Sequence, residues 1–320
     1  MSRPADEHPS ADPTPADPTS AAPTTSTDGF DDDGGATAAV LHVLDIDADP
    51  TYPDLFHGRN LTGPRARVYG GQVLAQATLA AGRTVPDDRL PHSLHGYFLR
   101  AGDVTKPIEF SVERLRDGRS FTARRTHALQ DGRPILSMIA SFQERQDGLE
   151  YAEEMPADVP DPSQVRSALV ELDGFDHPAA RFWAQDSAFD LRHVGRSIFL
   201  GPDPDSPQGR QMVWLRSRAP LPDDQLLHRA LLAYACDQIM LEPVLRRAGR
   251  AWVSANQSMA SLDHAMWWHR DVRVDDWLLF VQSTPGAQGG RGLGAARVFS
   301  RDGTLVASMA QEGMVRLPTA

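Results

Sequence analysis

"HRALLAYACDQIMLEPVL", residues 228–245, sets Leu231, Leu232, Ala233, Ala235, Cys236, Ile239, Met240 and Leu241 round almost the whole circumference of a helix. A helix that is apolar nearly all round belongs in a core. Asp237 stands in the middle of this stretch, where a carboxylate is costly to hold without partners. It is either a paired structural residue or a residue placed there for chemistry. "YGGQVLAQATLAAGR", residues 69–83, predicts a second apolar helix through Val73, Leu74, Ala77, Leu79 and Ala80, with Gly70 and Gly71 at its start.

Around these helices the apolar pattern shifts to a period of two, the mark of half-buried strands. "HSLHGYFLR", "PIEFSVERLR", "SFTARRTHALQ" and "PILSMIASFQ" follow the first helix as strands of an antiparallel sheet, with "RDGR" and "QDGR" as hairpin turns. "FDLRHV" and "QMVWLRSR" are short strands before the second helix. "SANQSMASLDHAMWWHR", "DDWLLFVQSTPGA", "GLGAARVFSRDG" and "TLVASMAQEGMVRL" are strands after it. The halves repeat: residues 118–141 line up with 290–312, placing Arg119 over Arg291, Arg125 over Arg297 and "LSM" over "ASM". A period of about 170 residues is too long for a solenoid and is the size of a duplicated domain. The expected organisation is a disordered acidic Pro/Thr/Ser-rich tail over 1–36, a first repeat over 37–145 opening on a short helix at "AAVLHVLDID", a connector over 146–188 with one short helix, and a second repeat over 189–320.

The chain has 320 residues and a formal net charge of −11. Eight acidic residues against Arg3 within the first 35 positions account for −7 of that, so the remainder is only mildly acidic. No long basic run suggests a nucleic-acid partner. No apolar run approaches the roughly eighteen residues of a membrane span. The N-terminus lacks the basic and apolar regions of a secretory signal, and "VRLPTA" is not a peroxisomal address. Cys236 is the one cysteine, which rules out an intrachain disulfide and fits a reducing compartment. A cytoplasmic protein is expected.

A long apolar helix wrapped by a curved antiparallel sheet resembles the hot-dog fold, and two in one chain resemble an α+β double hot-dog. "YGGQVLAQA", "HSLHGYFLRAGD", "DGRSFTARR", "LAYACD", "SLDHAMWWHR" and "DGTLVASMAQEGMVR" fall in order over about residues 40–317 and closely resemble the acyl-CoA thioesterase II family. That resemblance implies hydrolysis of acyl-CoA to free fatty acid and CoA, without metal or organic cofactor, by a homo-oligomer. It also implies that Asp237, Ser261 and Gln311 carry the reaction. The family position matched by Ser261 is often Thr, and the serine keeps the hydroxyl.

The chemistry is coherent on its own terms. A carboxylate can orient a water and accept its proton. A hydroxyl and an amide, each able to donate and accept, can hold that water in place. A backbone N–H at a helix start can polarise the carbonyl, which makes Gly70 and Gly71 candidates for substrate binding, while Arg291 could face a CoA phosphate. In the first repeat the positions matching Asp237 and Gln311 fall near Leu79 and at Ala140, so one active site per chain is expected. Asp263, His264 and His269 do not converge as metal ligands, because 263 and 264, like 264 and 269, differ in strand parity. "GGRG" at 289–292 lacks the dinucleotide spacing and reads as a turn. No G-x-S-x-G elbow is present. Cys236 points about 100° away from Asp237 on a helix and reads as core, as do Trp267 and Trp268. A hot-dog enoyl-CoA hydratase would need a His four or five residues after the Asp, which Asp237 lacks. A non-catalytic acyl-CoA binding protein need not keep the three polar residues.

Overall fold

The computed structural model describes residues 35–61, 67–205 and 208–317. The expected tail lies outside them except for Gly35 and Ala36, which already belong to the first helix, α1 (Gly35–Leu44). The first half continues through β1 (Asp47–Ala48), β2 (Leu55–Gly58), α2 (Gly70–Gly82), β3 (Arg89–Phe98), β4 (Ile108–Asp117), β5 (Phe121–Gln130) and β6 (Arg133–Glu144). Two short helices follow, α3 (Ala168–Glu171) and α4 (Pro178–Arg181). The second half contains β7 (Phe189–Val194), β8 (Arg210–Ser217), α5 (Gln225–Cys236), α6 (Glu242–Arg247), β9 (Ser258–Ser261), β10 (Asp263–Trp268), β11 (Leu278–Gln288), β12 (Arg291–Ser300) and β13 (Leu305–Arg316).

The strands form one antiparallel sheet in the order β1-β2-β4-β5-β6-β3-β10-β13-β12-β11-β8-β7, with β9 pairing β13. Read from either end, the order is the same topology, which is the duplication seen in the sequence. The seam is β3 against β10, centred on His95 opposite Ala265. The fold is a double hot-dog, with α2 and α5 packed against each other in the concavity. Alternation drives it. Leu94, Leu136 and Met138 from the first half, and Met266, Val298 and Met309 from the second, turn inward into one continuous core with Leu74 and Leu232.

Three features differ from the sequence expectation. Two strands precede the central helix in the first half as well as in the second, where they were expected, because β1 and β2 are too short to show a period. The connector is not loose: Val165, with Met155 and Val159, packs on Trp214, Trp277 and Phe299 across the outer face of the second half's sheet. The third is the segment 228–245, which is not one helix. Asp224 caps the start of α5 by accepting from the Leu226 and Leu227 N–H groups. The helix stops at Asp237, and α6 restarts with Pro243 in its first turn. Proline has no N–H to donate to the carbonyl four residues back. That carbonyl, Ile239 O, instead accepts from the Glu242 N–H at 3.1 Å and from Gln282 Nε2, on β11, at 3.2 Å.

Candidate active site

Because α5 ends where it does, Asp237 caps a helix C-terminus rather than lying mid-helix. A carboxylate is poorly placed at the negative end of a helix dipole. The N-terminus of α2 supplies the compensation: the Gly71 N–H donates to Asp237 Oδ2 at 2.9 Å. Only glycines permit this approach. A Cβ on Gly70 would lie 2.8 Å from Asp237 Oδ2, and one on Gly71 would overlap Tyr234 O. The Tyr69 hydroxyl donates to that same Tyr234 carbonyl at 2.6 Å, fixing the two helix ends together. The sequence-derived role for Gly71, polarising a substrate carbonyl, is not what its N–H does here, since it is engaged with Asp237.

Ser261 ends β9, opposite Gly313 on β13. Its hydroxyl donates to Asp237 Oδ1 at 2.8 Å. Gln311 points inward from β13, opposite Gly294 on β12. Its Nε2 donates to Asp237 Oδ1 at 2.7 Å and to Ser261 Oγ at 2.8 Å. The structure thus closes a hydrogen-bonded triangle from three elements far apart in sequence. Gln311 is completely buried, whereas Asp237 and Ser261 are half-buried.

Sequence reasoning missed the next layer. His264 Nδ1 lies 2.7 Å from Gln311 Oε1, and its Nε2 lies 3.4 Å from Cys236 Sγ. Burial pushes the His264 imidazole below the usual histidine range, opposed by the Gln311 hydrogen bond and the Asp237 and Asp263 charges. Burial also pushes the Cys236 thiol well above its usual range, and the Asp237 charge adds to this. The available signal was register: His264 stands one step beyond the Ala265–Ala310 pair, which puts it across from Gln311.

Arg291 is not brought to the triangle. It pairs with Glu312 Oε1 at 3.0 Å, and Glu312 neighbours Gln311 on a strand whose side chains alternate between faces. "GGRG" forms the β11–β12 turn, with Gly289 and Gly290 at positive φ. Among the described residues of the first repeat, apolar side chains hold the register positions of His264 and Gln311. Ala140 pairs with Leu94 as Gln311 stands across from His264. The two helices cross antiparallel, with Gly71 against Asp237 and Gly82 against Leu226. Arg125 and Arg297 are also two residues out of register. Arg125 faces Ile139 and Arg297 faces Ser308, because the second hairpin turn is one residue longer, where the sequence alignment makes it one residue shorter.

Family models described as the acyl-CoA thioesterase N-terminal and C-terminal domains match residues 61–143 and 156–315. The chain is 35% identical to human acyl-coenzyme A thioesterase 8 over 298 residues, 89% of this chain and 92% of that one. It is 32% identical to acyl-CoA thioesterase 2 of Haemophilus influenzae over 283 residues, 87% of this chain and 96% of that one. Among solved structures, an acyl-CoA thioesterase II, TesB2, from Mycobacterium marinum superposes with a TM-score of 0.70 at 39% identity, covering 88% of this chain and 98% of that one.

Proposed function

Because the chain belongs to the acyl-CoA thioesterase family, and is with that membership a thioester hydrolase, we propose that Asp237, Ser261 and Gln311 together activate the water that cleaves acyl-CoA. The carrying observation is the triangle, in which one half-buried carboxylate oxygen receives both the hydroxyl and the amide. A water beside Asp237 and Ser261 loses a proton to the carboxylate as its oxygen bonds to the thioester carbon. The carbonyl oxygen takes the negative charge, and we assign the Gly70 N–H, at the start of α2, as its donor. The tetrahedral intermediate collapses, the C–S bond breaks, and the CoA sulfur takes the proton from Asp237. The products are a free acid and CoA. Water and the chain's own groups suffice for this balance. We place one such site in each chain, in the second repeat, with a cytoplasmic location suggested by the single cysteine. A CoA-phosphate role for Arg291 requires Glu312 to release it.

CoA release from acyl-CoAs between acetyl and palmitoyl tests the reading. A thiol reagent reads CoA directly, because Cys236 is fully buried and held protonated. Ser261→Ala and Gln311→Leu are each expected to lower kcat by about 10- to 100-fold, the scale of losing one hydrogen bond to a charged group. Ser261→Thr retains the hydroxyl and is expected to keep most of the activity. Wild-type protein that binds every acyl-CoA but releases no CoA would instead be a binding protein.

We also propose a homo-oligomer. Tyr97, Ile139, Trp267 and Phe121 are exposed on the outer face of β3, β6, β10 and β5, and large apolar side chains exposed on one sheet face favour self-association. Sedimentation is expected to give a multiple of the 35.0 kDa chain mass; a sharp monomer at all concentrations would refute it.

A further inference from the structure

We propose that His264, in its neutral Nδ1–H form, is a positioning residue that sets the orientation of the Gln311 amide and acts on the reaction through it. The inference rests on the triangle's being the catalytic site. The geometry determines the protons in sequence. The Asp237 carboxylate only accepts, so the Gln311 atom facing it is the NH2 group. The other end of that amide is a carbonyl and needs a donor. Its partner at 2.7 Å is His264 Nδ1, which must therefore carry hydrogen. A neutral imidazole then has a bare Nε2, and the Cys236 thiol stands beside it at 3.4 Å. Burial keeps that thiol protonated, and its one S–H lies within reach of both His264 Nε2 and the Ala233 carbonyl, at 3.2 Å from the latter.

A glutamine amide with neither end fixed can rotate by a half turn. The rotated form would set a carbonyl against the Asp237 carboxylate and the Ser261 oxygen. Two acceptors face to face repel, more strongly so in a low-dielectric interior. The forward orientation thus depends on the donor behind it. His264 and Gln311 are both essentially inaccessible, so solvent does not supply a substitute. Leu94, in the corresponding register of the first repeat and fully buried there, shows that this sheet position accepts an apolar side chain without loss of fold.

The experiment compares His264→Leu, His264→Asn, Gln311→Leu and the double variant His264→Leu/Gln311→Leu in CoA release. His264→Leu is expected to lower kcat about 10-fold or more with KM and Tm little changed. His264→Asn can place an amide N–H near the lost Nδ1–H and is expected to recover most of the rate. The double variant is expected to match Gln311→Leu alone, because His264 has no further effect once the amide is gone. A His264→Leu protein with wild-type kcat overturns the proposal. So does an asparagine variant as slow as the leucine variant, or a double variant slower than Gln311→Leu by the full His264 factor, since either indicates packing alone. If Gln311→Leu itself has wild-type kcat, the triangle reading fails and the role of His264 fails with it. If Gln311→Leu is slow and His264→Leu is not, only the His264 inference falls.

Discussion

Asp237→Asn is expected to lower kcat for acyl-CoA hydrolysis by about 10²- to 10⁴-fold, the range for losing a positioned general base. Asparagine has nearly the same shape, so the substitution removes charge and basicity without opening a cavity. It does not preserve every hydrogen bond. The Gly71 N–H faces Oδ2, while Ser261 and Gln311 both donate to Oδ1. One of the two oxygens becomes an NH2 group, so in either orientation a donor meets a donor. The cost is about 1–3 kcal/mol, and the Tm should fall by about 2–4 °C for each kcal/mol lost. The two effects separate cleanly. Stability falls modestly, whereas the rate at 25 °C, where the variant is still folded, falls by orders of magnitude. Calorimetry and steady-state kinetics on one preparation check both. A variant that turns over within about threefold of wild type would exclude Asp237 as the base.

Gly294→Ala is expected to have the second-largest effect, from a residue that touches no substrate. Gly294 lies on β12 opposite Gln311, under the turn that joins α5 to α6. A Cβ built there falls well inside 3.0 Å of the Met240 carbonyl oxygen, and the obstacle is backbone rather than a flexible side-chain end. The turn must lift, and Asp237 opens that turn. Overpacking of this kind costs about 1–3 kcal/mol. A shift near 1 Å at a reacting group costs about 10²-fold in rate. Both losses are therefore expected together, with Gly148→Ala as the reference, since its Cβ would meet nothing within 4 Å. Wild-type kcat and Tm in Gly294→Ala would show that the turn does not hold Asp237 in place.

Local order was legible in the sequence because its causes are local. "FDLRHV" and β7 coincide at Phe189–Val194, and "YGGQVLAQATLAAGR" differs from α2 only at its ends. Alternation and turn chemistry act over a few residues, and "QDGR" became a tight hairpin with Asp131 and Gly132 at positive φ. The repeat was also legible, though not its register: the length of one hairpin turn shifted Arg125 against Arg297. The helix break before Pro243 had a local signal, the proline itself, but the apolar run masked it.

The sequence by itself determined the two apolar helices, the duplicated antiparallel strands, the ordered motifs of an acyl-CoA thioesterase, and three polar residues of the right chemistry. Only the tertiary structure decided how they meet. Ser261 and Gln311 lie 24 and 74 residues from Asp237, and the Gly71 N–H that holds its other oxygen lies 166 residues away. Propensity and periodicity act along the chain and carry no information over such separations. Hydrogen bonds there depend on strand register and on the crossing of two helix ends. Those are set by the packing of the whole core, which is why His264 meets Gln311, and Gly71 meets Asp237, only in the folded molecule.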